Sequence, residues 1–204
     1  MSSFRRVPYR PLHRAAAGPL RDSPHRSIAG LGLVGLLAVL VIIGFVVHTF
    51  FFTIYRVRQD GMFPSLPAGT LFLGRRKPSS TQIERGDLIV FEHMRHGQDE
   101  RLVWRVIALP GETVSMEGTS VWVNRERLAH ELVSETTDNI ILRETNRDQT
   151  YEVAYDKHSS HPALPLHVKV AADHFFVLGD NRHEALDSTY LGGIPFEEII
   201  ARKF

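Results

Sequence analysis

From Ser27 to Tyr55 the chain carries no formally charged side chain, and Leu, Val, Ile, Phe and Gly dominate the stretch. A bilayer core of ~30 Å takes ~20 apolar helical residues, so the pattern predicts a transmembrane helix over 27–55. A cleavable signal sequence has an apolar region of only ~7–15 residues before a small-residue cleavage site. This run is too long and too branched for that, and Phe50, Phe51, Phe52 and Tyr55 are expected at the outer interface. Beyond Arg56 the pattern changes. Short runs of branched and aromatic residues recur at 70–73, 87–91, 102–109, 120–123, 140–143, 151–155 and 175–178. They are separated by turn signals such as Pro67-Ala68-Gly69, Arg85-Gly86-Asp87, Pro110-Gly111 and Gly179-Asp180-Asn181. Only the short stretch Pro195–Arg202 suggests a helical period. Residues 124–170 are polar and read as a hairpin-rich insertion. The expected fold class is mainly β, a coiled antiparallel β-domain at 56–204 on a single N-terminal transmembrane helix.

Charge sharpens this layout. The chain has 204 residues with 24 Lys+Arg and 23 Asp+Glu, for a net +1. Residues 1–26 hold six arginines against Asp22 alone, leaving 18 basic and 22 acidic residues in the remainder. The near-neutral total therefore joins a basic head to an acidic domain. By the positive-inside rule the head stays cytoplasmic, and residues 56–204 lie across the cell (plasma or inner) membrane. The head, with Pro8, Pro11 and scattered Ser and Arg, is expected to be disordered. An acidic outer domain argues against a nucleic-acid surface, which needs clustered cations. The absence of cysteine excludes disulfides, Cys-ligated metals and a Cys nucleophile. Two histidine pairs, His93/His96 and His158/His161, have i, i+3 spacing but fall outside any expected helix, so they read as loop histidines and no metal or cofactor is expected.

Four stretches in order, GMFPSLPAGT (61–70), RGDLIVF (85–91), RVIALPGETV (105–114) and GDNRHEALDS (179–188), resemble the type I signal peptidases. These are membrane-bound serine endopeptidases that remove signal peptides from exported proteins. The resemblance covers 27–204 and implies the signal-peptidase β-fold. It also implies a Ser/Lys dyad, in which a desolvated, neutral lysine takes the serine proton. The positions that match the reactive groups do not carry them. Gly61 stands at the nucleophile of the family's Ser-Met-x-Pro motif, and Trp104 stands at the general base, just before Arg105. Ala185 occupies the place of the serine that orients the lysine, and Gln59 that of an oxyanion-hole hydroxyl. Thr189 replaces an arginine common after the Asp-Ser pair. The motif residues that shape backbone and core persist: Met62, Pro64, Arg105, Gly179, Asp180, Asn181, Arg182, Asp187 and Ser188.

The resemblance thus implies a peptidase scaffold without its chemistry, a pseudoenzyme that binds exported polypeptides or signal peptides or assists an active signal peptidase. Strand addition needs only backbone edges and pockets, so binding survives loss of cleavage, and Met62 and Val103 are the expected groove residues. Trp104 reads either as a core aromatic or as a plug in the groove. Two other functions stay open. One is an active signal peptidase with a displaced nucleophile, for which Ser65 is the candidate; a misplacement of ~1 Å costs ~100-fold in rate. The other is a structural membrane partner without a peptide groove. An Asp60–Asp187 acid pair and a role for His183 near the site are weaker readings.

Overall fold

The computed structural model describes residues 25–95, 97–159 and 165–204. The basic head lies almost wholly outside the described residues, as do His96 and His161. Helix α1 runs His25–Phe51. Within it Gly32–Phe51 is long and apolar enough to cross a membrane. The chain divides into two compact units, residues 1–43 and 44–204. The helix stops four residues short of the expected Tyr55. Phe52-Thr53-Ile54-Tyr55-Arg56 has period-two character, and its buried Tyr55 stacks on Phe72 at 5.7 Å, so cross-strand packing wins over helical continuation.

The second unit is built from strands, in chain order β1 Phe52–Arg56, β2 Leu71–Arg76, β3 Leu88–Arg95, β4 Gln98–Ala108, β5 Thr113–Glu117, β6 Ser120–Val123 and β7 Glu126–Arg127. There follow β8 Ala129–Glu135, β9 Asn139–Asn146, β10 Gln149–Asp156, β11 Leu166–Lys169, β12 His174–Leu178, β13 Ile194–Pro195 and β14 Ile199–Lys203, with one short helix, α2 Ser188–Leu191, after β12. They form a seven-stranded sheet in the order β1-β2-β14-β3-β4-β12-β13, a three-stranded sheet β10-β9-β8 and a four-stranded sheet β11-β5-β6-β7. All ladders between named strands are antiparallel. The expected mainly β, antiparallel class is what the chain adopts. The helical reading of Pro195–Arg202 holds only for a single 3-10 turn, Phe196–Glu198; from Ile199 the chain is β14, which pairs with both β2 and β3, and its inward Ile199 and Ala201 alternate as a strand requires.

Two apolar clusters hold the domain. One gathers Tyr55, Met62, Ile89, Phe91, Trp104, Val106, Phe175 and Val177; the other gathers Ile107, Val114, Val121, Val123, Tyr151, Val153, Phe176 and Leu178. β4 and β12 supply both, because successive side chains on a strand point to opposite faces. At about 1.5–3 kcal/mol for each large side chain buried, these shared strands tie the two clusters into one cooperative body. Glycine is needed where β2 passes the ring of Tyr55: a Cβ at Gly74 would lie 2.7 Å from Tyr55 Cε2. Gly74→Ala is expected to cost about 1–3 kcal/mol through this overpacking, read as a lowered denaturant midpoint with an unchanged slope.

One opening interrupts the large sheet. β1 is an edge strand. β4 pairs with β3 along 98–105, but β12 reaches only its C-terminal part, from Arg105 onward. Among the described residues, 100–104 therefore have a second edge with no strand partner. A cavity of about 280 Å³ separates this edge from β1 and its continuation to Gln59.

Candidate functional site

The turn after β1 is fixed by its own polar groups. Asp60 Oδ1 accepts a hydrogen bond from the Ala68 N–H (2.8 Å), Phe63 N–H donates to the Asp60 carbonyl (2.9 Å), and Leu66 N–H donates to the Met62 carbonyl (2.7 Å). The GDN loop after β12 is bound to this turn. Asn181 N–H donates to the Gly61 carbonyl (3.0 Å), and Asn181 Nδ2 to the Asp60 carbonyl (3.3 Å). The loop is held in turn by Arg105, whose guanidinium forms a two-pronged pair with Asp180 (2.7 and 2.6 Å) and also donates to the Gly86 carbonyl (2.8 Å). Its plane lies 4.0 Å over the Tyr151 ring. Burial pushes the Arg105 pKa down, but Asp180 outweighs it and the net shift is upward.

Gly61, Trp104 and Ala185, distant in sequence, meet at one point. Trp104 is 1% exposed, and its six-membered ring lies where a side chain at residue 61 would project. A Cβ on Gly61 would fall 2.5 Å from Trp104 Cζ3 and into Cη2. Behind the ring, Ala185 packs on Gly179, where an added Cβ would run into the Ala185 methyl and lie 3.4 Å from Trp104 Cζ3. Small residues at 61, 179 and 185 are thus the complement of one large ring. Trp104 belongs to the core cluster and also lines the cavity. Among the described residues its indole N–H has no hydrogen-bond partner, and neither has Asn181 Oδ1. Packing, not hydrogen bonding, positions the ring. Met62 and Val103 line the same cavity, together with Gln59.

The other candidates have structural roles. Ser65 Oγ donates to the Glu152 carbonyl (3.3 Å) and accepts from Arg105 Nη2 (3.2 Å), so its proton is directed at a backbone carbonyl and its oxygen faces a cation. Asp187 does not pair with Asp60. It accepts from the N–H groups of Gly179 and Thr189 (3.0 Å each) and from the Thr189 hydroxyl (2.7 Å), capping α2. Burial still raises its pKa against these donors. Ser188 Oγ accepts from the Val177 N–H (2.9 Å). His183 donates through Nδ1 to the Asp156 carbonyl (2.9 Å) and sets its ring edge-on to Tyr155.

Sequence reasoning missed Glu144. It lies in β9, inside the polar stretch 124–170, yet is fully buried. It takes Arg182 Nη2 (2.6 Å) and Nη1 (3.0 Å), the Tyr151 hydroxyl (2.8 Å) and His130 Nε2 (2.8 Å). Burial raises its pKa, but Arg182, His130 and Tyr151 more than reverse this and hold it at about 2. The strand alternation Ile141, Arg143, Thr145 against Leu142, Glu144, Asn146 was the available signal, since a lone acid on an otherwise inward face needs a cationic partner.

Residues 31–204 match the family model described as "Signal peptidase, peptidase S26". Among curated relatives, Signal peptidase I of Leptolyngbya laminosa is 29% identical over 199 residues, covering 94% of this chain and 84% of that one. Signal peptidase I P of Bacillus subtilis subsp. natto is 30% identical over 151 residues, 72% of each. A solved signal peptidase I from Enterococcus faecalis V583 aligns at 26% identity with a TM-score of 0.37, covering 61% of this chain and 94% of that chain.

Proposed function

Because the chain belongs to the signal peptidase family, we propose that it is a catalytically silent member which holds extended polypeptide in the opening between β1 and β4. Its head is cytoplasmic, residues 27–51 span the membrane, and the β-domain that follows lies outside. The observation that carries this reading is the fit of the Trp104 ring against Gly61. The space a nucleophile would need is filled, and filled by the residue standing where the family's general base stands. An indole nitrogen has no lone pair available for proton abstraction, and Ala185 has no hydroxyl to orient a base. The strand edges and the cavity beside this point are open, which is what peptide capture by strand addition uses. Exported chains emerging from the membrane, or a complex with an active peptidase, supply such a segment.

The test is hydrolysis of a signal-peptide substrate by the full chain in detergent. Product formation is expected to stay at the level of a blank, and Ser65→Ala is expected to change nothing. Turnover that Ser65→Ala abolishes would establish an active peptidase with a displaced nucleophile and overturn the proposal.

A further inference from the structure

The opening between β1 and β4 has a charge of its own. Four of its lining residues are formally charged: Arg56, Arg58 and Arg101 against Glu100. This basic character stands out because the chain after residue 26 carries 18 basic and 22 acidic residues. Arg101 is tethered to Glu92 (2.6 Å), but Arg56 and Arg58 have no ion pair among the described residues.

Their placement follows from strand geometry. Val57 N–H donates to the Thr70 carbonyl, and the Val57 carbonyl accepts from Gly69 N–H (both 2.9 Å), so Val57 uses its backbone toward β2. By the alternation of an antiparallel ladder, the backbone N–H and C=O of Arg56 and Arg58 turn to the opposite, unpaired edge. Their side chains are exposed while Tyr55 and Val57 are buried. A segment laid along this edge alternates its side chains between two surroundings. Along β1 and its continuation, one set lies on the buried, apolar side with Tyr55 and Val57; the other lies beside the exposed Arg56 and Arg58.

From this alternation we infer that the opening selects an extended polypeptide in which small apolar residues alternate with aspartate or glutamate. The inference rests on reading the opening as a peptide site and adds the chemical class of what it takes. Each arginine contributes a solvent-exposed charge pair, modest singly and additive over the rim. Discrimination is therefore set by the pairs at Arg56 and Arg58 and weakens as salt screens them within a Debye length of ~8 Å at physiological ionic strength.

The experiment is fluorescence anisotropy with the full chain in neutral detergent, using three dye-labelled peptides of equal length: alternating Ala-Glu, Ala-Gln and Ala-Lys. The Ala-Glu peptide is expected to bind about five- to tenfold more tightly than Ala-Gln, with Ala-Lys weakest and the advantage falling to about twofold at high salt. The double variant Arg56→Gln/Arg58→Gln is expected to retain Ala-Gln binding and lose most of the preference. Equal affinity for Ala-Glu and Ala-Gln in the unaltered chain overturns the charge inference and leaves the peptide site standing. Binding of none of the three overturns the site itself. Vesicles containing phosphatidylglycerol form the last arm. If they take up the chain through Arg56 and Arg58 while the peptides show no charge preference, the arginines serve lipid headgroups and the inference falls.

Discussion

Gly61→Ser, introduced alone, will destabilise the domain severely and will not restore cleavage. The new Cβ would sit 2.5 Å from Trp104 Cζ3, and only a shift of the whole ring toward the cavity it lines would relieve the contact. Trp104 is 1% exposed, lies across from Ile89 in the β3–β4 ladder, and has Gly179 and Ala185 behind it. Overpacking of a core ordinarily costs about 1–3 kcal/mol. A rigid aromatic ring against backbone falls at or above the upper end, a large part of the ~5–15 kcal/mol that separates folded from unfolded domains. Trp104→Ala will also destabilise, by about 3–5 kcal/mol, through the cavity it leaves. The double variant Gly61→Ser/Trp104→Ala, in contrast, will be more stable than the sum of the two costs predicts, by at least ~1 kcal/mol, because the serine enters space the ring has vacated. Denaturant titration of all four proteins gives this coupling directly, and additive costs would mean that the two residues do not share one space. The triple variant Gly61→Ser/Trp104→Lys/Ala185→Ser then asks whether the scaffold still supports chemistry. Weak cleavage of a signal-peptide substrate is expected, and a folded but inert triple variant would place the loss in the groove as well.

The second large effect lies at Glu144. Glu144→Ala leaves the buried Arg182 guanidinium with no carboxylate, and breaking a buried pair from one side costs about 3–5 kcal/mol. The same group makes the domain acid-sensitive. Its pKa is about 2 in the folded protein against 4.5 for the ordinary carboxyl, so the unfolded chain binds the proton more readily. The stabilisation is fully present above pH ~4.5 and is lost progressively as pH falls toward ~2. The difference corresponds to about 3 kcal/mol. Asp187 acts with the opposite sign, since its raised folded pKa favours the protonated folded state and softens the loss. Denaturant midpoints measured from pH 7 to pH 2.5 should therefore fall below pH ~4.5. Glu144→Gln should start lower and show a flatter acid limb. An unchanged acid limb in that variant would assign the sensitivity to other carboxylates.

The two residue periods explain how much of the fold could be read in advance. Wherever branched and aromatic residues ran together between glycine or proline turns, as at Leu88–Phe91 or Phe175–Leu178, a strand was there. β1 was hidden because Phe52–Tyr55 continues the apolar composition of α1, and composition does not mark where a period of 3.6 gives way to 2. β14 was hidden because a five-residue strand after a proline carries too few positions to separate the two periods. Glu144 escaped for a different reason. Its importance lies in Arg182, His130 and Tyr151, which come from other strands and loops, and nothing local to β9 names them. At the site, the motif order located Gly61, Trp104 and Ala185. That they touch, and that each small residue fits the one large ring, is a fact of packing that no spacing encodes.

The opening beside Trp104 leaves two backbone edges unpaired, and unpaired edges recruit any strand of suitable register, including one from an identical chain. Arg56, Arg58 and Arg101 bear on that hazard too. A second copy would bring the same three arginines to the junction, and like charges set opposite one another oppose the pairing. The rim thus serves as a guard as much as a recognition surface. If the opening takes the peptide proposed above, the same charges that attract that guest would oppose a second copy of the domain at this edge.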